Sequence, residues 1–158
     1  VEAILLTHTH WDHIAGIEAV RERFPDCRIL CHSQEFDMLE DPEKNFSTMM
    51  GSGVSYEADA ELESCALRVQ GDALTVLHTP GHSPGGVSLH WADRDLLLSG
   101  DALFQQGVGR TDLPGSDRST LRDSLKTVLM ELPDETRVYP GHGPSTTIGQ
   151  ERKTNPFL

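Results

Sequence analysis

Four side chains able to bind a metal ion fall close together near the start of the chain: His8, His10, Asp12 and His13. Imidazole nitrogen and carboxylate oxygen are donors that first-row divalent ions accept. In an extended segment residues two apart face the same way, so His8 and His10 can present their rings to one ion. Asp12 and His13 are adjacent where the backbone turns into a helix, and can aim away from the first pair toward a second ion. Three further candidates sit in loops after β-like runs: His82 in Thr79-Pro80-Gly81-His82-Ser83, Asp101 in Ser99-Gly100-Asp101, and His142 in Tyr139-Pro140-Gly141-His142-Gly143. Strand ends leading into glycine-containing turns let a rigid sheet present side chains to a cleft. Two neighbouring cations lower the pKa of a shared water toward neutrality and polarise a carbonyl oxygen, which is the chemistry of metal-assisted hydrolysis.

The elements that must position these residues can be read from periodicity. Residues 1–7 are apolar and β-prone. Asp12 is suited to cap a helix whose apolar positions Ile14, Ile17, Val20 and Phe24 recur at helical spacing up to Pro25. Residues 28–31 read as a second strand, and Ser33 as the cap of a short helix that the Asp41-Pro42 pair ends. Residues 43–63 show no sustained period and read as a long surface loop with room for short helical pieces, a candidate substrate-facing or mobile segment. Residues 74–78, 86–91 and 96–99 form a β meander separated by turn residues. Asp117 caps a helix with Leu121, Leu125, Val128, Leu129 and Leu132 on one face. A strand at residues 137–139 and a helix at residues 146–153 complete the chain.

The 158 residues carry a net charge of −12, and 37% are hydrophobic. This composition is that of a folded globular chain rather than a disordered or fibrous one. The apolar runs are far shorter than the roughly 20 residues a bilayer crossing needs. The acidic excess and the scattered basic residues disfavour nucleic acid and anionic membranes as partners. Cys27, Cys31 and Cys65 form no Cys-x-x-Cys pair and read as buried reduced thiols, which fits a cytoplasmic setting.

Thr7-His8-Thr9-His10-Trp11-Asp12-His13, followed by His82, Asp101 and His142, resembles the metallo-β-lactamase superfamily. Gly100-Asp101-Ala102-Leu103-Phe104, Gly109-Arg110-Thr111-Asp112 and the tail with Asn155-Pro156-Phe157 resemble the small bacterial glyoxalase II-like hydrolases within it. The resemblance covers nearly the whole chain. It implies an α/β fold, the four-layer αββα sandwich, as a single domain over residues 1–158. It also implies a dinuclear site in which His8, His10 and His82 hold one ion, Asp12, His13 and His142 the other, and Asp101 bridges them. Two divalent ions are the implied cofactor, zinc first, with iron or manganese able to occupy the same ligands. A water or hydroxide held between them, oriented by Asp12, would attack a small-molecule thioester such as S-lactoylglutathione.

Two departures from the family accompany the resemblance. The sandwich's opening strands, which precede the cluster in relatives, are not in this sequence, which begins at Val1 inside an apolar run. The chain therefore reads as an N-terminally truncated fragment, expected to be poorly stable alone. The helical domain with which larger glyoxalase II enzymes grip glutathione is also absent. The Gly-Arg-Thr-Asp segment is similar to persulfide dioxygenases too, which implies one iron on His8, His82 and Asp101 as an alternative. An inactive truncated domain is the non-catalytic alternative. The intact Pro-Gly-His142-Gly motif favours the hydrolase.

The remaining polar residues read as structural. His32, His78 and His90 lie in or beside strand-like runs. Arg110 reads as a brace for its loop through Asp112, with contact to an anionic substrate as the alternative. Trp91, Phe104 and Tyr139 serve as core or pocket wall. Glu57, Asp59, Glu61 and Glu63 form a solvated face.

Overall fold

The computed structural model describes residues 1–64, 66–69 and 71–158, a mixed α/β chain that divides into two compact units, Val1–Glu63 and Ser64–Leu158. Cys65 lies outside the described residues.

The first unit holds a parallel sheet in the order β1 (Ala3–Leu5), β2 (Arg28–Cys31), β3 (Ala60–Glu61), with Ile4 opposite Ile29 and Leu30 opposite Ala60. Parallel neighbours need a crossover, and two helices supply the first one: α1 (Trp11–Ile14) and α2 (Ile17–Arg23). The spacing predicts one helix from Asp12; instead the run breaks at Ala15 and Gly16, a residue that weakens a helix interior. Its cap also lies elsewhere. His10 is the extended residue before α1, and Asp12 sits within the first turn. Ile14, Ile17, Ile29 and Leu39 are nearly or wholly buried and form the centre of this unit's core.

After β2, a 3₁₀ turn (Ser33–Glu35) leads into α3 (Phe36–Glu40). Ser33 is not the cap: Nδ1 of His32 accepts the Gln34 N–H at 3.3 Å. The long segment that follows is tied down rather than loose. Asn45 and Ser47 are fully buried, and the Asn45 amide donates to the Val54 carbonyl at 3.0 Å. The acidic run is not uniformly solvated either, because one Asp59 oxygen accepts from Arg21 at 2.8 Å and from the Ile29 N–H at 2.7 Å.

The second unit is a six-stranded sheet ordered β11-β10-β7-β6-β5-β4. The strands are β4 (Ala66–Val69), β5 (Asp72–His78), β6 (Val87–Trp91), β7 (Leu96–Gly100), β10 (Arg137–Pro140) and β11 (Thr146–Thr147). The expected meander is β5-β6-β7, antiparallel throughout. β4, a four-residue strand outside the runs read from the sequence, extends it by pairing with β5. β7 pairs in parallel with β10, Leu97 opposite Val138. A small hairpin, β8 (Leu103–Phe104) with β9 (Gly107–Val108), follows β7.

Helix α4 (Arg118–Thr127) begins as the sequence predicts: the Asp117 carboxylate accepts the Thr120 N–H at 2.7 Å. Its apolar face buries Leu121 and Leu125, and these pack with Leu97, Leu103, Leu129 and Val138. Helix α5 (Ile148–Thr154) closes the unit. Tyr139 is 39% exposed and so is not core, because it falls on the outward side of a strand whose inward residue is Val138. Among the described residues no helix is long and apolar enough to cross a membrane.

Candidate metal centre

In the first unit the chain leaves β1 at Leu5, and the Leu6 N–H still pairs with the Leu30 carbonyl at 2.9 Å. The next seven residues, Thr7 to His13, carry the cluster. His8 and His10 are buried, with ring planes perpendicular and centroids 4.8 Å apart. The ring of His13 stands 4.0 Å from that of His8. The single turn of α1 thus returns His13 to the side of His8, where the sequence suggested that it turns away. Asp12 is half-exposed, one oxygen 3.7 Å from Nε2 of His13. The loop after α3 supplies a wall: Phe46, held at a φ of 66° that bulky residues rarely adopt, lies 5.2 Å from the His10 ring.

In the second unit three loops at strand ends bring His82, Asp101 and His142 together. Gly141, just after β10, donates its N–H to the carbonyl of Gly100 at the end of β7 at 2.9 Å. That places Asp101 and His142 at the same end of neighbouring strands. One oxygen of Asp101, Oδ2, lies 3.6 Å from Nε2 of His82 and 3.5 Å from Nε2 of His142. His142 is the most exposed of the three, with Phe104 edge-on at 6.2 Å.

Two glycines make this packing possible. Gly81 has a φ of 127°, and a side chain there would overlap the backbone of Leu121 in α4. A Cβ on Gly109 would overlap the Asp101 carbonyl oxygen and stand 3.0 Å from the His82 side chain. The chain from Gly109 onward is therefore laid directly over two candidate ligands. The Arg110 guanidinium closes a two-pronged pair with Asp112, at 2.8 and 2.9 Å, as the sequence predicts.

The tail has a related task. Glu151 is wholly buried and accepts from the Gln106 N–H at 2.7 Å, the Thr146 hydroxyl at 2.6 Å and the Asn155 amide at 2.9 Å. It thereby ties the β8–β9 hairpin to α5. Of the other histidines, His78 lies 3.4 Å from the Pro84 carbonyl and His90 has its pKa lowered by burial, consistent with structural placement.

The donor set fits divalent ions. Two donors on a tetrahedral ion with bonds of about 2.0–2.2 Å stand roughly 3.3–3.6 Å apart. Both His–Asp101 separations have that value. Imidazole nitrogen with carboxylate oxygen suits zinc, iron and manganese alike. Sequence reasoning missed Glu35, Asn45, Phe46 and Glu151; a buried acid or amide in a polar stretch leaves no periodic signal.

Comparison with known proteins agrees with this chemistry. The model of the metallo-β-lactamase superfamily matches residues 1–142. The chain is 42% identical to the probable metallo-hydrolase YqgX of Bacillus subtilis, covering 99% of this chain and 75% of that one. It is 33% identical to the hydroxyacylglutathione hydrolase GloC of Haemophilus influenzae, covering 100% of this chain and 76% of that one. Among solved structures, BLEG-1 B3 metallo-β-lactamase superposes with a TM-score of 0.93 at 45% identity, over 99% of this chain and 77% of that one. TTHA1623, solved in a di-iron-bound form, superposes at 0.86 with 42% identity and the same coverage. ETHE1 from Myxococcus xanthus superposes at 0.73 with 33% identity, over 98% of this chain and 61% of that one. With its fold and its two sets of candidate metal ligands, the chain belongs to the metallo-β-lactamase superfamily of metallo-hydrolases.

Proposed function

We propose that this protein is a dinuclear metal-dependent hydrolase that cleaves a small thioester such as S-lactoylglutathione. The observation that carries the reading is the position of Asp101, one oxygen of which faces His82 and His142 at nearly equal distances. A carboxylate oxygen so placed suits a bridging ligand. The first unit would supply His8, His10, Asp12 and His13 as ligands, and the second His82, Asp101 and His142. When bound, the ions would activate water near neutral pH and polarise the substrate carbonyl. Zinc is the first expectation; the di-iron form of TTHA1623 makes iron a close second.

The chain's own groups do the rest. Asp12, half-exposed beside His13, orients the attacking water. His82 is held by the Arg110 carbonyl at 2.9 Å and keeps its Nε2 toward Asp101. The likeness to GloC over three quarters of that enzyme supports a thioester as the bond cleaved. The likeness to BLEG-1 favours a β-lactam amide as the second substrate class.

The test is metal content by elemental analysis, followed by thiol release from S-lactoylglutathione. Near two equivalents of metal, with thiol release abolished by Asp101→Asn, is the expected result. A β-lactam hydrolysed in preference to the thioester would replace the substrate assignment. One iron per chain, with oxygen consumed on glutathione persulfide, would replace the reaction.

A further inference from the structure

The strongest unassigned feature is a buried acid that lies behind the first histidine pair. Glu35 and Thr9 are both wholly buried, in the same unit. Oε2 of Glu35 accepts the Thr9 N–H at 2.9 Å and the Thr9 hydroxyl at 2.8 Å. Thr9 is the residue between His8 and His10. Thr9 is joined directly to both histidines, so anchoring its N–H and its hydroxyl restricts the backbone from which both imidazoles project.

From this geometry we infer that Glu35 is a positioning residue for the metal-binding cluster, acting through Thr9. The inference rests on the reading of His8 and His10 as ligands. Glu35 is itself well fixed: it ends the 3₁₀ turn after β2, and its N–H donates to the His32 carbonyl at 2.8 Å. A buried carboxylate requires strong donors, and a main-chain amide with a hydroxyl from one residue supplies two charge-assisted bonds. The result is a clamp on the backbone between the two histidines. Partners behind the ligand shell typically change metal affinity or activity by 10- to 100-fold when removed.

The test is zinc affinity of the full chain, measured by competition with a chromophoric chelator, with thermal melting of each metal-free protein in parallel. Thr9→Val keeps the shape and the N–H bond but removes the hydroxyl donor; Glu35→Gln keeps the shape and removes the charge. Each is expected to bind zinc about 10- to 100-fold more weakly. Thr9→Ser, which restores the donor, should recover wild-type affinity. Glu35→Gln acts on a buried site, and if it does not fold, Thr9→Val still decides the matter. Folded variants that bind zinc as tightly as wild type would overturn the inference, as would losses that merely track the unfolded fraction. If the wild-type chain takes up no zinc, iron or manganese, the ligand reading fails and this inference with it. If the wild type binds two ions and the variants bind them equally well, only the positioning role fails.

Discussion

Nδ1 of His82 lies 2.9 Å from the backbone carbonyl of Arg110, and because a carbonyl can only accept, the hydrogen must be on Nδ1. That contact turns Nε2, the other ring nitrogen, toward Asp101. The contact depends on Gly109, which lets the chain pass over Asp101 and His82. Gly109→Ala should therefore destabilise the fold by about 1–3 kcal/mol, as overpacking does, and weaken metal binding together with turnover. Chemical denaturation and chelator competition on the same sample check both effects; a stable variant with unchanged affinity would contradict the account of the loop.

Asp12 is the most exposed member of the first cluster, so its loss should disturb chemistry more than folding. Asp12→Ala is expected to lower turnover by about 10²- to 10⁴-fold, the usual range for a group that manages a proton in the reaction. One metal equivalent should remain. Unchanged turnover would remove Asp12 from its assigned role.

Hydrogen bonds from Thr120 and Ser119 hold the Asp117 carboxyl down at about 2, below its ordinary 3.8. A depressed carboxyl pKa stabilises the fold fully above its unfolded value, and that contribution is lost as pH falls through the folded value. Asp117→Ala should thus lower Tm at neutral pH by about 2–4 °C, the scale of a lost helix cap in a chain this size. The difference from wild type should vanish as pH approaches about 2. Melting curves across that range supply the check, and a gap that persists at the acid end would contradict it.

Burial, reinforced by the charges of Glu35 and Glu61, pushes the Cys31 thiol up to about 12 from an ordinary 9.0. The neutral thiol is the form the fold favours. Its stabilisation is complete below pH 9 and is lost as pH rises toward 12. At pH 8 Cys31 should resist alkylation in the native protein and react once the chain is unfolded. Peptide mapping after iodoacetamide distinguishes the two states, and rapid native labelling would show that the first unit's core is open.

Much of this was legible in the sequence because it rests on local patterns. The alternation in β5 and β6, the Asp117 cap and the leucine spacing of α4 each need only a few neighbouring residues. The seven candidate ligands were visible because their residue types are rare in such density. What escaped notice depends on distant partners. Glu35 contacts Thr9 across 26 residues, and Glu151 contacts Gln106 across 45. The start of α1 is not legible in the sequence, because His10 begins it through backbone geometry with no side-chain capping bond.

The pairing of β7 with β10 also has a kinetic consequence. Asp101 and His142 stand at the same end of adjacent parallel strands, yet about forty residues, including all of α4, separate them along the chain. Closing so long a loop costs chain entropy before any contact across it is rewarded. The two side chains should therefore meet only as the sheet and α4 come together, late in folding. Amide exchange at Gly141, whose N–H is held by the Gly100 carbonyl, should then proceed through opening of the whole unit rather than local fraying.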